Sequence, residues 1–156
     1  MMRVEYINPF VSAAYSVLQM VLGVEPEKGQ LAMRPGIFTT QQCNIVMGVT
    51  GKVEGTAIYG MALATADKIA SYMIGQPIRT FDALAASAIA ELGNMITGNA
   101  ASLLSEKGYD CQISPPSIIR GSNVKISTVN TPALVVPILL GEFGFIEINV
   151  SLQERK

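Results

Sequence analysis

Histidine is absent from all 156 residues, and so is tryptophan. Without histidine there is no Ser-His-Asp triad, no His-ligated zinc or haem, and no phosphohistidine relay. The two cysteines, Cys43 and Cys111, are too few and too far apart for a zinc ribbon, and no C-x-x-C pair exists. They read as reduced, buried thiols of a cytoplasmic protein, with a disulfide as the alternative. Charge is sparse as well: 15% of residues, 11 basic against 12 acidic, for a net charge of −1. No excess of Lys and Arg is available to neutralise phosphates, which argues against nucleic-acid binding through a basic surface. Any catalysis must run on carboxylates, amides, hydroxyls, amines or a borrowed metal. Apolar side chains, by contrast, make up 49% of the chain, enough to fill the core of one domain or of a tight duplication, and the opposite of a disordered composition.

Tyr6 to Val24 carries no charge, close to the length of a membrane span. Polar residues interrupt it, however. Asn8, Ser12, Ser16, Gln19 and Gly23 recur at spacings of 4, 4, 3 and 4 and form one stripe of a helix, while Ile7, Phe10, Ala14, Val17 and Val21 form another. A two-faced helix belongs in a soluble fold, and Asn and Pro inside the apolar run make a poor signal peptide. The expectation is a soluble, cytoplasmic protein with no membrane partner.

Three helices and several strands are predicted. The first helix runs from about Asn8, as N-cap with Pro9 at the first helical position, to Gly23. Cys43 to Thr50 and Val53 to Ala62 flank a hairpin turn at Gly51-Lys52. Thr65 to Ile74 is a short helix with Thr65 as N-cap and Gly75 as stop. A long helix spans about Phe81 to Lys107, before Gly108. Strands return at Val124 to Val129, Leu134 to Leu140 and Phe143 to Leu152, with a second hairpin at Gly141-Glu142. Pro137 marks its strand as an edge, or as bulged there.

These elements repeat. Ser12 to Gly23 aligns with Ser87 to Gly98 with four of twelve positions identical, and each helix is later followed by a Gly-centred hairpin. The predicted fold is α+β: one domain over 1–156, a pseudo-two-fold duplication of about 1–75 and 76–156, with long helices packed on an antiparallel sheet.

In the long helix, Ala85, Ile89, Leu92, Ile96, Ala100 and Leu103 follow a 3.6-residue period as the core stripe. Ser87, Glu91, Asn94, Gly98 and Ala101 point nearly opposite. That outward face aligns a hydroxyl, a carboxylate and an amide, then small residues. Gly98 costs roughly 1 kcal/mol of helix propensity relative to Ala, which suggests that another backbone comes close. An ordinary solvated face is the plain alternative. The first helix has Ser16 and Gln19 where the long helix has Glu91 and Asn94, so the pair belongs to one copy and points to one site per chain. Other signals are weaker. The Gly55-to-Gly60 pattern lacks the Lys-Ser/Thr of a phosphate loop. Arg120 and Lys125 read as surface charges, and Met20, Met47, Met61, Met73 and Met95 as core filler.

The run Ser87-x-x-x-Glu91-x-x-Asn94, with Pro116 after 21 intervening residues, resembles the signature of the CheC/CheX/FliY chemotaxis phosphatases. The wider string AELGNMITGNA is similar to the second-helix motif of that family. One motif copy, the Asn8-Pro9-Phe10 start and the chain length are most similar to the CheX branch. Pro115 stands beside Pro116, and either fits the motif proline. The resemblance implies hydrolysis of the aspartyl phosphate on a CheY-like response regulator, with no cofactor of its own and with Mg²⁺ supplied by that partner. It implies that Asn94 positions the attacking water and that Glu91 pairs with the regulator's lysine. Ser87, Gly98, Ala101 and Pro116 would be partner contacts, and the resemblance also implies a homodimer joined through the sheets. The readings that remain beside it are a non-catalytic module that docks a receiver domain or signalling protein, and an assembly role like that of flagellar-switch relatives.

Overall fold

A computed structural model describes residues 3–128 and 132–155. In chain order the elements are α1 (Val4–Leu22), β1 (Glu27–Lys28), β2 (Ala32–Arg34), β3 (Phe38–Thr39), β4 (Cys43–Gly51), β5 (Val53–Met61), α2 (Leu63–Ile74), α3 (Ala83–Glu106), β6 (Cys111–Ile113), β7 (Ser117–Arg120), β8 (Ile126–Ser127), β9 (Ala133–Leu139), a 3₁₀ turn (Gly141–Phe143) and β10 (Phe145–Glu154). One antiparallel sheet runs β1-β9-β10-β5-β4-β6, with β2 also on β9 and β7 also on β4; β3 and β8 form a separate pair. Alternation decides which face is covered. Ile45, Met47 and Val49 of β4, Tyr59 and Met61 of β5, and Ile146, Ile148 and Val150 of β10 are buried in one core with the three helices. The fold is therefore α+β, helices on an antiparallel sheet, as expected. Among the described residues no helix is long and apolar enough to cross a membrane.

Several boundaries differ from the sequence reading. α1 begins at Val4, so Asn8 and Pro9 lie inside it rather than at its start. Tertiary packing overrides the local proline signal: Tyr6 and Ile7 are buried, and Tyr6 meets Tyr109 edge-on at 5.4 Å. The polar stripe of α1 is exposed as expected, but Met20 is 69% exposed and fills no core. α2 starts two residues before Thr65, which is not its cap. Leu63 N instead donates to Oε1 of Gln42 at 3.0 Å, a cap supplied from the loop before β4. Gly75 ends α2 in the left-handed region (φ 88°), as expected. Val124 to Val129 contracts to the two residues of β8, and Val129 lies outside the described residues.

Pro137 sits inside β9, bonded to β10 on one side (Glu147↔Pro137). Its other side falls in the gap between β2 and β1, where its carbonyl accepts from Gly29 N at 2.7 Å. The missing N–H thus faces the interrupted side of the sheet. Both cysteines are free, Cys43 buried and Cys111 half-buried.

Candidate active site

α3 is the element that carries the site, and its placement starts at its cap. Oδ1 of Asp82 accepts from Ala85 N at 3.0 Å, satisfying one of the open amides of the first turn. Ala85, Ile89, Leu92, Ile96 and Ala100 are buried, as the periodicity predicted; the stripe ends on Leu104, whereas Leu103 is half-buried. Gly93 and Thr97 complete the buried face. A Cβ at Gly93 would lie 2.6 Å from Cγ2 of Ile45, so glycine lets the helix settle onto β4. The Thr97 hydroxyl donates to the Gly93 carbonyl at 2.8 Å and lies 2.6 Å from the Tyr59 hydroxyl, which is therefore the donor in that pair. Burial pushes the Tyr59 phenol well above its ordinary pKa. Together these contacts fix how deep α3 sits and how it is rotated.

With that rotation set, Ser87 and Glu91 are exposed and Asn94 is half-buried on the opposite face. Neither the Glu91 carboxylate nor the Asn94 amide hydrogen-bonds another side chain or backbone group among the described residues. Three residues apart on one helix, their Cβ atoms are neighbours at about 5–6 Å.

The second wall comes from the connection between β6 and β7. Both pair with β4, through Val49↔Ile113 and Val46↔Ser117. Met47 and Gly48 on β4 therefore face Ser114, Pro115 and Pro116, one residue more, which is a bulge in the outer strand. Ser114 pins it: its N donates to Gly48 O at 3.0 Å and its Oγ accepts from Gly48 N at 2.7 Å. Between this wall and α3 lies a groove of about 450 Å³ lined by Ser87, Ala90, Glu91, Asn94, Ile113, Ser114, Pro115 and Pro116.

The structure thus brings together Ser87, Glu91, Asn94 and Pro116, and places Pro115 beside them. Gly98 and Ala101 lie farther along the same helix face, beyond the groove. Among the described residues no backbone comes within 4 Å of a Cβ built at Gly98, which would find only Cδ1 of Ile113, at 4.0 Å. Ile113 and Ser114 were missed by sequence reasoning, because only the pairing register shows that the chain bulges there. A larger hollow of about 690 Å³ lies between α2 and the 3₁₀ turn, with Tyr72 and Phe143 among its walls, but it contains neither Glu91 nor Asn94. The Gly55-to-Gly60 pattern runs along β5 and forms no loop.

Chemically, the groove offers one carboxylate, one amide and hydroxyls, and no Lys or Arg. It suits a cationic group at Glu91 and a water or hydroxyl at Asn94, which can both donate and accept. A single carboxylate is a poor donor set for a resident divalent cation.

Residues 43–139 match the family described as chemotaxis phosphatase CheX. The chain is 35% identical over 128 residues to the CheY-P phosphatase CheX of Thermotoga maritima, covering 81% of this chain and 83% of that protein. Among solved structures it is similar to CheX of Borrelia burgdorferi, crystallised as a complex with CheY, BeF₃ and Mg²⁺ (35% identity, TM-score 0.84, 97% of this chain and all of that one). It is also similar to CheX of Desulfovibrio desulfuricans (26% identity, TM-score 0.86, 97% of this chain and all of that one).

Proposed function

This chain belongs to the chemotaxis phosphatase CheX family, and on that footing we propose that α3 is the catalytic element of a phosphatase acting on the aspartyl phosphate of a CheY-like response regulator. It is a hydrolase of chemotaxis signalling, with phosphorylated CheY as its partner. The observation that carries the site assignment is the pair Glu91 and Asn94, one turn apart on a buried-backed helix, both without internal hydrogen bonds and both facing the groove.

The charge of the groove fits this division of labour. A bare phosphate would be repelled by Glu91, so the phosphoryl group must arrive with its charge already balanced. A receiver domain brings that balance as its own Mg²⁺ and lysine. Glu91 then pairs with the lysine and sets the register of docking. The Asn94 amide accepts a hydrogen bond from a water and holds it in line with the phosphorus, a task of position rather than basicity. Ser87 and Pro116 touch the partner at the rim, and Gly98 and Ala101 leave room beyond the groove.

Three further parts belong to the same reading. The protein acts in the cytoplasm, where its partner is. It forms a homodimer through its sheets, which the exposed Met33 of β2 and Phe38 of β3 support. The halves of about 1–75 and 76–156 are related by duplication, supported by two helix-then-hairpin units whose strands β5 and β10 pair at the sheet centre.

The test is decay of phosphoaspartate on a CheY-like receiver. Wild type accelerates it; Asn94→Ala loses about 100-fold or more in turnover while keeping its fold. Glu91→Ala raises the receiver concentration needed by about tenfold or more, as loss of a charge-assisted bond predicts. If wild type accelerates no receiver, or if Asn94→Ala is as fast as wild type, the catalytic assignment fails and the groove is a docking surface only.

A further inference from the structure

Arg120 was read from the sequence as a surface charge; the structure places it half-buried at a junction. It ends β7, directly after the bulge that makes one wall of the groove, and pairs across the sheet with Cys43. Its Nη2 contacts Oδ1 of Asp67 on α2 at 2.9 Å, and its guanidinium lies 3.9 Å from the centre of the Phe81 ring. Phe81 immediately precedes Asp82, the cap of α3. The same α2–α3 connection is tied to α2 once more, where Ile78 N donates to Ser71 Oγ at 3.2 Å.

Local stability is a poor explanation for this arrangement. The Asp67 side chain is 43% exposed, and an ion pair that open to water adds little. Nη1 of Arg120 is buried without a hydrogen-bond partner, which costs stability. What the guanidinium does is join three segments: the strand leading from the proline wall, the helix α2, and the residue just before the cap of α3.

We propose that Arg120, with Asp67 and Phe81, is a positioning clamp that sets the separation of the two groove walls and so the placement of the docked receiver against Asn94. This rests on the assignment of Glu91 and Asn94 above. Arg120 touches no reacting atom; it acts through the start of α3 and the end of β7. A shift of the helix start by a fraction of an ångström would move Glu91 and Asn94 relative to the proline wall, and in-line geometry tolerates such shifts poorly.

The experiment measures kcat and KM for receiver dephosphorylation in Asp67→Asn, Phe81→Leu and Arg120→Met, beside Asn94→Ala and a control, Val136→Ala, whose buried position on β9 lies outside the groove walls. All are assayed well below their melting temperatures. The clamp variants are expected to lose about fivefold or more in kcat with KM changing less, while Val136→Ala, of comparable loss in melting temperature, keeps the wild-type kcat. Asp67→Asn and Phe81→Leu carry the test should Arg120→Met fail to fold. Unchanged kcat in the clamp variants, or an equal loss in Val136→Ala, overturns the clamp. A silent Asn94→Ala is a different result: it removes the site assignment itself and the clamp with it.

Discussion

A methyl group added at Gly93 would meet Cγ2 of Ile45 at 2.6 Å, whereas one added at Gly98 would find Cδ1 of Ile113 at 4.0 Å. The same substitution on the same helix should therefore have opposite signs. Gly93→Ala gains up to about 1 kcal/mol of helix propensity but overpacks the helix–sheet contact by about 1–3 kcal/mol, for a net loss of up to about 2 kcal/mol. Gly98→Ala keeps the propensity gain and is expected to stabilise by about 0.5–1 kcal/mol. Urea denaturation of the two variants checks this, and equal signs would contradict the placement of α3. At this scale the sequence was informative where periodicity separates faces: Glu91 and Asn94 could be assigned to the open side of α3 because the opposite stripe is apolar. It misled at Gly98, whose open face suggested a close neighbour while the tight contact belongs to Gly93. It also misled at Arg120, which reads as a surface charge yet is half-buried, because one charged residue in a short strand carries no sign of what folds over it.

α3 as an element depends on its first turn. Asp82 satisfies Ala85 N, and no acidic residue occupies the first turn to share that work. Asp82→Ala should cost about 1 kcal/mol, seen as a lower urea midpoint with an unchanged slope. An unchanged midpoint would mean that the Phe81 contact alone holds the helix start. Long elements were legible because they repeat a pattern many times over: α3 and the hairpin strands β4, β5, β9 and β10 lie within a few residues of their predicted ranges. Of the strands of two to four residues, β1, β2, β6 and β7 are too short to repeat a pattern and form because β9 and β4 offer them an edge, whereas β3 and β8 pair only with each other. The start of α1 was illegible for another reason. Burying Tyr6 and Ile7 outweighs the break that Pro9 suggests, and that burial is decided by α3 and Tyr109 far along the chain.

For the whole molecule, the missing histidines have a measurable effect. No side chain of ordinary pKa near 6.5 is present, so stability should be flat between about pH 6 and 8. Burial raises the pKa of Cys43, Cys111, Tyr6 and Tyr59. Groups raised in the folded state contribute stability that is intact below their unfolded values, about 8.5 for Cys and 10 for Tyr, and is lost as pH climbs beyond them. Urea midpoints measured from pH 6 to 10.5 should hold level and then fall above about pH 9; a slope between pH 6 and 8 would contradict this. The sheet order also carries a message about time. β10 is the last of the described elements to leave the ribosome, yet it lies between β9 and β5 in the middle of the sheet. At roughly 5–20 residues per second, β5 waits on the order of 5–20 s with its inner edge unpaired. During that interval the helix bearing Glu91 and Asn94, and the strands beside it, are already synthesised, but the two halves of the sheet have no strand to join them. Nascent chains halted before Phe145 would expose the N–H and C=O groups of β5 to any other extended chain nearby, which makes this edge the place where a trigger-type chaperone has most to protect.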